Sequence, residues 1–148
     1  MQIELLAERY PGVSIVRHGY RMLICSKITT KLQGDIYEQA ALDYLLKQKL
    51  TLIERNFNCK LGEIDLIMQE QEFIVFIEVK YRKSTNFGEP SEMVSPAKQK
   101  KICKTAKIYL QKHGLNEYNT LCRFDVVSIK GPAASTEITW LKNAFNGV

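Results

Sequence analysis

Gly62-Glu63-Ile64-Asp65-Leu66-Ile67-Met68-Gln69 and, after three intervening residues, Phe73-Ile74-Val75-Phe76-Ile77-Glu78-Val79-Lys80-Tyr81 decide how this chain folds. Both stretches alternate with the period of two that marks strands, and the polar residues around Glu70-Gln71 between them read as a hairpin turn. Ile64, Leu66 and Met68 point one way, as do Phe73, Val75, Ile77 and Val79. The opposite sets are Glu63, Asp65 and Ile67, and Ile74, Phe76, Glu78 and Lys80. An even-numbered loop puts the apolar sets on one face and the charged sets on the other. An odd loop puts Asp65 and Glu78 on opposite sides and drives one of them into the core. Burial therefore selects the even register. With turn residues 71 and 72, Asp65 faces Glu78; with 70 and 71, the two are diagonal neighbours.

Acids side by side on a sheet repel unless something neutralises them. Lys80 supplies one positive charge against Glu63, Asp65, Glu78 and, from an earlier helix, Glu38. A hard divalent cation, Mg²⁺ or Mn²⁺, takes oxygen ligands of this kind and resolves the imbalance. Such a cation polarises phosphoryl oxygens and acidifies bound water, and a lysine on the same strand face can orient a nucleophile. The plainer alternative is a set of cross-strand ion pairs, Glu63 with Lys80 and Asp65 with Arg55 or Arg82.

Glu38 enters through helical spacing. Ile36 to Lys49 has helix-forming composition, and Ala41, Leu42 and Leu45 follow Glu38 by three, four and seven positions, which places the acid on the apolar stripe. A carboxylate facing inward is costly unless it is paired or binds a metal. Leu50 to Phe57 reads as a strand and Asn58 to Leu61 as a turn. A loop spans Ser84–Ser95. Ser95 then caps a helix that begins at Pro96 and runs through Leu110. Leu121–Lys130 is a further strand, and Ile138–Leu141 a short last one. Residues 1–33 carry no legible chemistry: Tyr10-Pro11-Gly12 interrupts any early helix, and Ile15-Val16 and Met22–Cys25 suit short strands. The expected organisation is an N-terminal extension, 1–33, followed by one domain, 34–148.

The chain has 148 residues, 45% hydrophobic and 25% charged, which suits a single folded domain with an ordinary core. No stretch approaches the ~20 apolar residues of a membrane span, and the first fifteen residues lack the basic start and apolar run of a signal peptide. A cytoplasmic protein is expected, without a membrane partner. Cys25, Cys59, Cys103 and Cys122 form no Cys-x-x-Cys unit and read as reduced, packed thiols. The formal charge is +5, and Pro96 to His113 holds six lysines and no acid. By itself that is a solvated helix face; beside a phosphodiester site it becomes a backbone-contacting surface.

Gly34 and Glu38, Glu54-Arg55-Asn56, Gly62 to Ile67 and Phe76 to Lys80 together resemble the bacterial YraN-type family. So do Phe87-Gly88, Pro90, Glu92, Val94, Lys98, Arg123 to Val127 and Ala144-Phe145. These are uncharacterised endonuclease-like proteins of the PD-(D/E)XK superfamily, related to archaeal Holliday-junction resolvases. The resemblance runs from about Gly34 to Phe145 and leaves residues 1–33 uncovered. It implies an α/β fold, a restriction-endonuclease-like mixed β-sheet flanked by helices, and Mg²⁺- or Mn²⁺-dependent cleavage of DNA, including branched DNA. By resemblance Asp65 and Glu78 bind the metal, Lys80 assists the nucleophile and Glu38 contributes further. Arg82, Lys83, Lys98, Lys101 and Lys104 would meet the nucleic acid, and a homodimer is in keeping with the resolvases. The superfamily's proline before the aspartate is replaced by Ile64, and Tyr81 stands where the family often has Thr. Asp125, two residues after Arg123, reads as an ion-pair partner. A nucleic-acid-binding module that keeps the fold without cutting is the principal rival, and a purely structural domain explains the acids least well.

Overall fold

The computed structural model describes residues 16–18, 21–23, 30–82, 94–131 and 136–147. The chain divides into two compact units, Met1–Asp35 and Ile36–Val148. In the first, β1 (Val16–His18) pairs antiparallel with β2 (Arg21–Leu23). Tyr10-Pro11-Gly12, Cys25 and Lys83, and all but the last two residues of the loop expected over Ser84–Ser95, lie outside the described residues.

Helix α1 (Thr30–Lys47) starts earlier than its composition suggested, because Gly34 does not break it. It leads into β3 (Thr51–Cys59), β4 (Gly62–Glu70) and β5 (Phe73–Arg82), a meander in which each strand pairs antiparallel with the next. Helix α2 (Pro96–Lys112) follows, then β6 (Cys122–Lys130) and β7 (Glu137–Leu141). β6 lies parallel to β5, which is possible because α2 carries the chain back between them, and β7 returns antiparallel. The five strands form one mixed sheet in the order β3-β4-β5-β6-β7. This is the α/β, restriction-endonuclease-like arrangement expected of the sequence.

Both faces of the sheet are covered. Tyr37, Ala41, Leu42 and Leu45 of α1 pack on Leu66, Met68, Val75, Ile77, Val127 and Ile129. Ile102, Cys103, Ala106, Tyr109 and Leu110 of α2 pack on Ile67, Phe76, Phe124 and Val126. Two-sided burial explains why Ile67 and Phe76, which share strand parity with the charged residues, are fully buried. Ser95 caps α2, its Oγ accepting the Lys98 N–H at 3.3 Å, with Pro96 in the first turn. Among the described residues no helix is long and apolar enough to cross a membrane.

One expectation from the alternation is overturned. Ile64 does not share a core with Leu66 and Met68; it packs with Ile67, Phe76 and the α2 residues. The cause lies on the neighbouring strand. Asn56 adopts the left-handed conformation (φ 52°) between the Arg55↔Leu66 and Phe57↔Ile64 pairs, which asparagine tolerates better than most residues. On one side of it Arg55 reaches Gln39 of α1 at 2.8 Å. On the other, Phe57 meets Tyr109 of α2 edge-on at 5.1 Å. The strands thus change faces together, and Asp65 sits in the middle of the change.

Candidate functional site

Residues 71 and 72 form the β4–β5 turn, and the main-chain ladder runs from Glu70↔Phe73 to Leu66↔Ile77. Continued by one residue, that register sets Asp65 against Glu78, the closer of the two alignments left open by the sequence. There a side chain enters the ladder: Asp65 Oδ2 accepts the Val79 backbone N–H at 2.7 Å. Glu78 is only 4% exposed, and its Oε1 receives both the Lys80 ammonium at 3.0 Å and the Lys98 ammonium at 3.3 Å. Its other oxygen, Oε2, is buried and accepts no hydrogen bond among the described residues. A buried carboxylate oxygen left in that condition is costly.

The electrostatics of Asp65 show how tightly the acids are gathered. Burial first, then the charge of Glu78, push its carboxyl from the usual 3.8 up to about 7, and Glu38 adds to the rise. The Val79 amide and the Lys98 ammonium act in the opposite direction. Glu38 comes from α1, on the turn that also buries Tyr37, Ala41 and Leu42, as its spacing indicated. Asp65, Glu78 and Lys80 are therefore neighbours on two adjacent strands, and the charge of Glu38 on α1 is felt at Asp65. Among the described residues, Lys80 meets Glu78 rather than Glu63, which is exposed, and Arg55 donates to Gln39.

The lysines of α2 divide into distinct groups. Lys107 pairs with Glu117 at 2.9 Å, and Lys112 lies over the Phe57 ring at 5.2 Å. Lys100, Lys101 and Lys104 are exposed, leaving a basic outer face. Lys98 is different: expected on that face, it turns inward to Glu78. Its position was legible in spacing that the charge count obscured, since Lys98 precedes the buried residues Ile102, Thr105 and Tyr109 by four, seven and eleven positions. Arg82 closes β5 and is partly buried.

Among the described residues no three His, Cys, Asp or Glu side chains form a ready-made metal cluster. Asp65 and Glu78 are the residues that could hold a cation, and the donor chemistry fits. Both offer carboxylate oxygen, the ligand type of hard divalent ions, and Glu78 Oε2 is the buried acceptor that such an ion would satisfy.

A second buried acid has a different setting. Asp125 is fully buried and accepts a bidentate pair from Arg123 at 2.8 and 2.9 Å, the Trp140 indole N–H at 2.9 Å and the Asn143 N–H at 2.9 Å. Arg123 also reaches Glu70, which bonds Lys142 at 2.7 Å. Burial opposes ionisation of Glu70, yet hydrogen bonds from Lys142 and Arg123 hold its carboxyl below the usual range. The cluster ties β6, β7 and the β4–β5 turn together. Its hydrogen bonds are internal, as the Arg123–Asp125 ion-pair reading implied.

The mixed sheet between two helices, with acids meeting where the β4–β5 ladder ends, defines a protein of the restriction-endonuclease-like α/β class. The chain belongs to the uncharacterised protein family UPF0102, the YraN family, whose model matches residues 37–129. It is 50% identical over 113 residues to a UPF0102 protein of Colwellia psychrerythraea, covering 76% of this chain and 88% of that one. A UPF0102 protein of Vibrio vulnificus (strain YJ016) is 51% identical over 112 residues, 76% of this chain and 90% of its own. One from Nitrosococcus oceani is 44% identical over 117 residues, 79% and 94% of the two chains.

Proposed function

We propose that this protein is a metal-dependent endonuclease that hydrolyses DNA phosphodiester bonds. The observation that carries the reading is the meeting of Asp65 and Glu78 at the end of the β4–β5 ladder, with one Glu78 oxygen buried and without a partner among the described residues. Asp65 and Glu78 hold Mg²⁺ or Mn²⁺. When bound, the cation polarises a phosphoryl oxygen and acidifies the attacking water. The Val79 amide fixes the Asp65 carboxylate in one orientation, so this ligand needs little rearrangement before binding. Lys80 orients the nucleophile and stabilises charge developing on the phosphate. Glu38 contributes negative charge to the same site. Lys101 and Lys104 on the outer face of α2, with Arg82 at the end of β5 and Lys83 next in the sequence, hold the DNA backbone. Resemblance to junction resolvases supports branched DNA as the substrate and a homodimer as the acting form, and a cytoplasmic location accords with both.

One observation favours a second reading, a nucleic-acid-binding module that does not cut. Lys80 and Lys98 already neutralise Glu78 within the chain, so the cluster can persist without a cation. Incubating linear, flapped and four-way-junction DNA with Mg²⁺ or Mn²⁺ separates the two. Wild type should cut, while Asp65→Ala and Glu78→Ala should lose cutting but retain DNA binding. Equal residual cutting by all three proteins ends the nuclease reading, and binding without any cutting favours the module.

A further inference from the structure

Lys98 stands in an unfavourable place for a cation. It is the third residue of α2, where the positive end of the helix dipole and the exposed amides favour acids, and where a capping box places Glu or Gln. The first turn holds no acid to compensate. Its side chain is directed inward rather than to water and ends 3.3 Å from the same oxygen of Glu78 that Lys80 contacts at 3.0 Å. Two ammonium groups therefore converge on one carboxylate oxygen while the other oxygen has no partner among the described residues. For simple stabilisation that is an uneven distribution, since one lysine on each oxygen would satisfy both. It is intelligible if the two monovalent charges stand where one divalent charge belongs.

We infer that Lys98 is a positioning residue that occupies Glu78 in the cation-free protein, competes with the divalent cation for it, and on displacement turns toward the DNA phosphate. The inference rests on the metal-site reading above. Lys98 can make the exchange because it comes from a different element than the acids. Lys80 is fixed to the β5 strand beside Glu78, whereas Lys98 reaches in from α2, whose outer face carries the exposed lysines Lys101 and Lys104. Its side chain is 30% exposed, so the ammonium can swing outward while Lys80 and the incoming cation neutralise the buried Glu78. Lys98 thereby links cation loading to the availability of one more phosphate contact.

Mn²⁺ affinity, measured by calorimetry without DNA, tests this independently of cleavage. Removing a neighbouring positive charge should tighten binding, by roughly three- to tenfold for a partly exposed group, in both Lys98→Met and Lys98→Gln. Lys98→Arg should remain near wild type. Lys100→Met, with the same charge change on the exposed face, should shift affinity less than about twofold. In wild type, acylation of Lys98 by an amine-reactive ester, followed by mass spectrometry, should quicken when Mn²⁺ is added. Unchanged or weaker Mn²⁺ binding in Lys98→Met and Lys98→Gln, with no change in Lys98 acylation, overturns the inference and leaves the metal site standing. No Mn²⁺ binding by any of the proteins overturns both.

Discussion

Asp65 Oδ2 lies 2.7 Å from the backbone nitrogen of Val79, so the residue that follows Glu78 in the chain holds the opposing acid in place. The contact brings two carboxyls together, and burial with Glu78 beside it raises Asp65 to about 7. Folding therefore retains a proton on Asp65 that the unfolded chain releases near its usual 3.8. An acid raised in this way contributes most below pH 4, and the contribution is lost as pH rises through 7. In EDTA, the stability of wild type relative to Asp65→Asn should fall across that window by roughly 2 to 4 kcal/mol. Denaturant melts at pH 4 to 8 measure it, and parallel pH profiles for the two proteins would remove the proposed crowding of acids.

Glu78 should reverse its effect on stability when a cation is supplied. A buried acid with one orphaned oxygen is weak support for a fold, and an apolar residue of similar volume often does better by about 1–3 kcal/mol. Lys80 and Lys98 are 34% and 30% exposed and can extend to water once Glu78 is gone. In EDTA, Glu78→Met should therefore be at least as stable as wild type. With Mn²⁺ at a hundred times its Kd, wild type should gain about 2.7 kcal/mol and the variant nothing. An equal Mn²⁺-induced rise in Tm for both proteins places the cation elsewhere.

The hairpin register was legible because burial on the α1 side permits only one parity, and Leu66, Met68, Val75 and Ile77 obey it. Glu38 was legible because helical spacing ties it to Ala41, Leu42 and Leu45. Alternation failed at Ile64, since the rule assumes straight strands and the left-handed turn at Asn56 exchanges their faces. Lys98 was misplaced by its company, because a lysine among lysines reads as surface until its spacing to Ile102 and Thr105 is considered. The Trp140 and Asn143 bonds to Asp125 join residues 15 and 18 apart. No local periodicity encodes them.

Asp125 should separate stability from site chemistry. Asp125→Ala leaves Arg123, the Trp140 indole and the Asn143 amide without their shared acceptor. Breaking such a buried charged network costs about 3–5 kcal/mol. Denaturant unfolding should show a loss of that size, while the remaining folded protein binds Mn²⁺ as wild type does. A loss below about 1 kcal/mol would reduce the cluster to an ordinary surface pair, and a large drop in Mn²⁺ affinity would make it part of the site.

Gly62 lets β4 approach α2, the helix that carries Lys98, closely at Lys101 and Thr105. It adopts φ 154°, and a Cβ there would sit 3.1 Å from Thr105 Oγ1 and 3.7 Å from Lys101 Cβ. Thr105 is fully buried, so the helix must move or the strand must strain. Gly62→Ala should cost about 1–3 kcal/mol. Displacing α2 should also withdraw Lys98 and tighten Mn²⁺ binding in the same sense as Lys98→Met. Unchanged stability would show that the contact yields easily, and unchanged affinity would show that the Lys98 contact does not depend on this approach.

The outer face of α2 makes a prediction about salt rather than about affinity alone. Lys101 and Lys104 are exposed, so if they touch DNA they neutralise phosphates and release counterions. Each contact adds about 0.9 to the slope of log K against log salt. The double variant Lys101→Gln/Lys104→Gln should therefore lower the slope by about two, weakening binding alike on every sequence. Fluorescence anisotropy across a salt series, in EDTA so that no strand is cut, provides the measurement. A lower affinity with an unchanged slope would point to a disturbed helix rather than lost phosphate contacts. If affinity and slope both stay as in wild type, the face is solvated and DNA must be held by other residues.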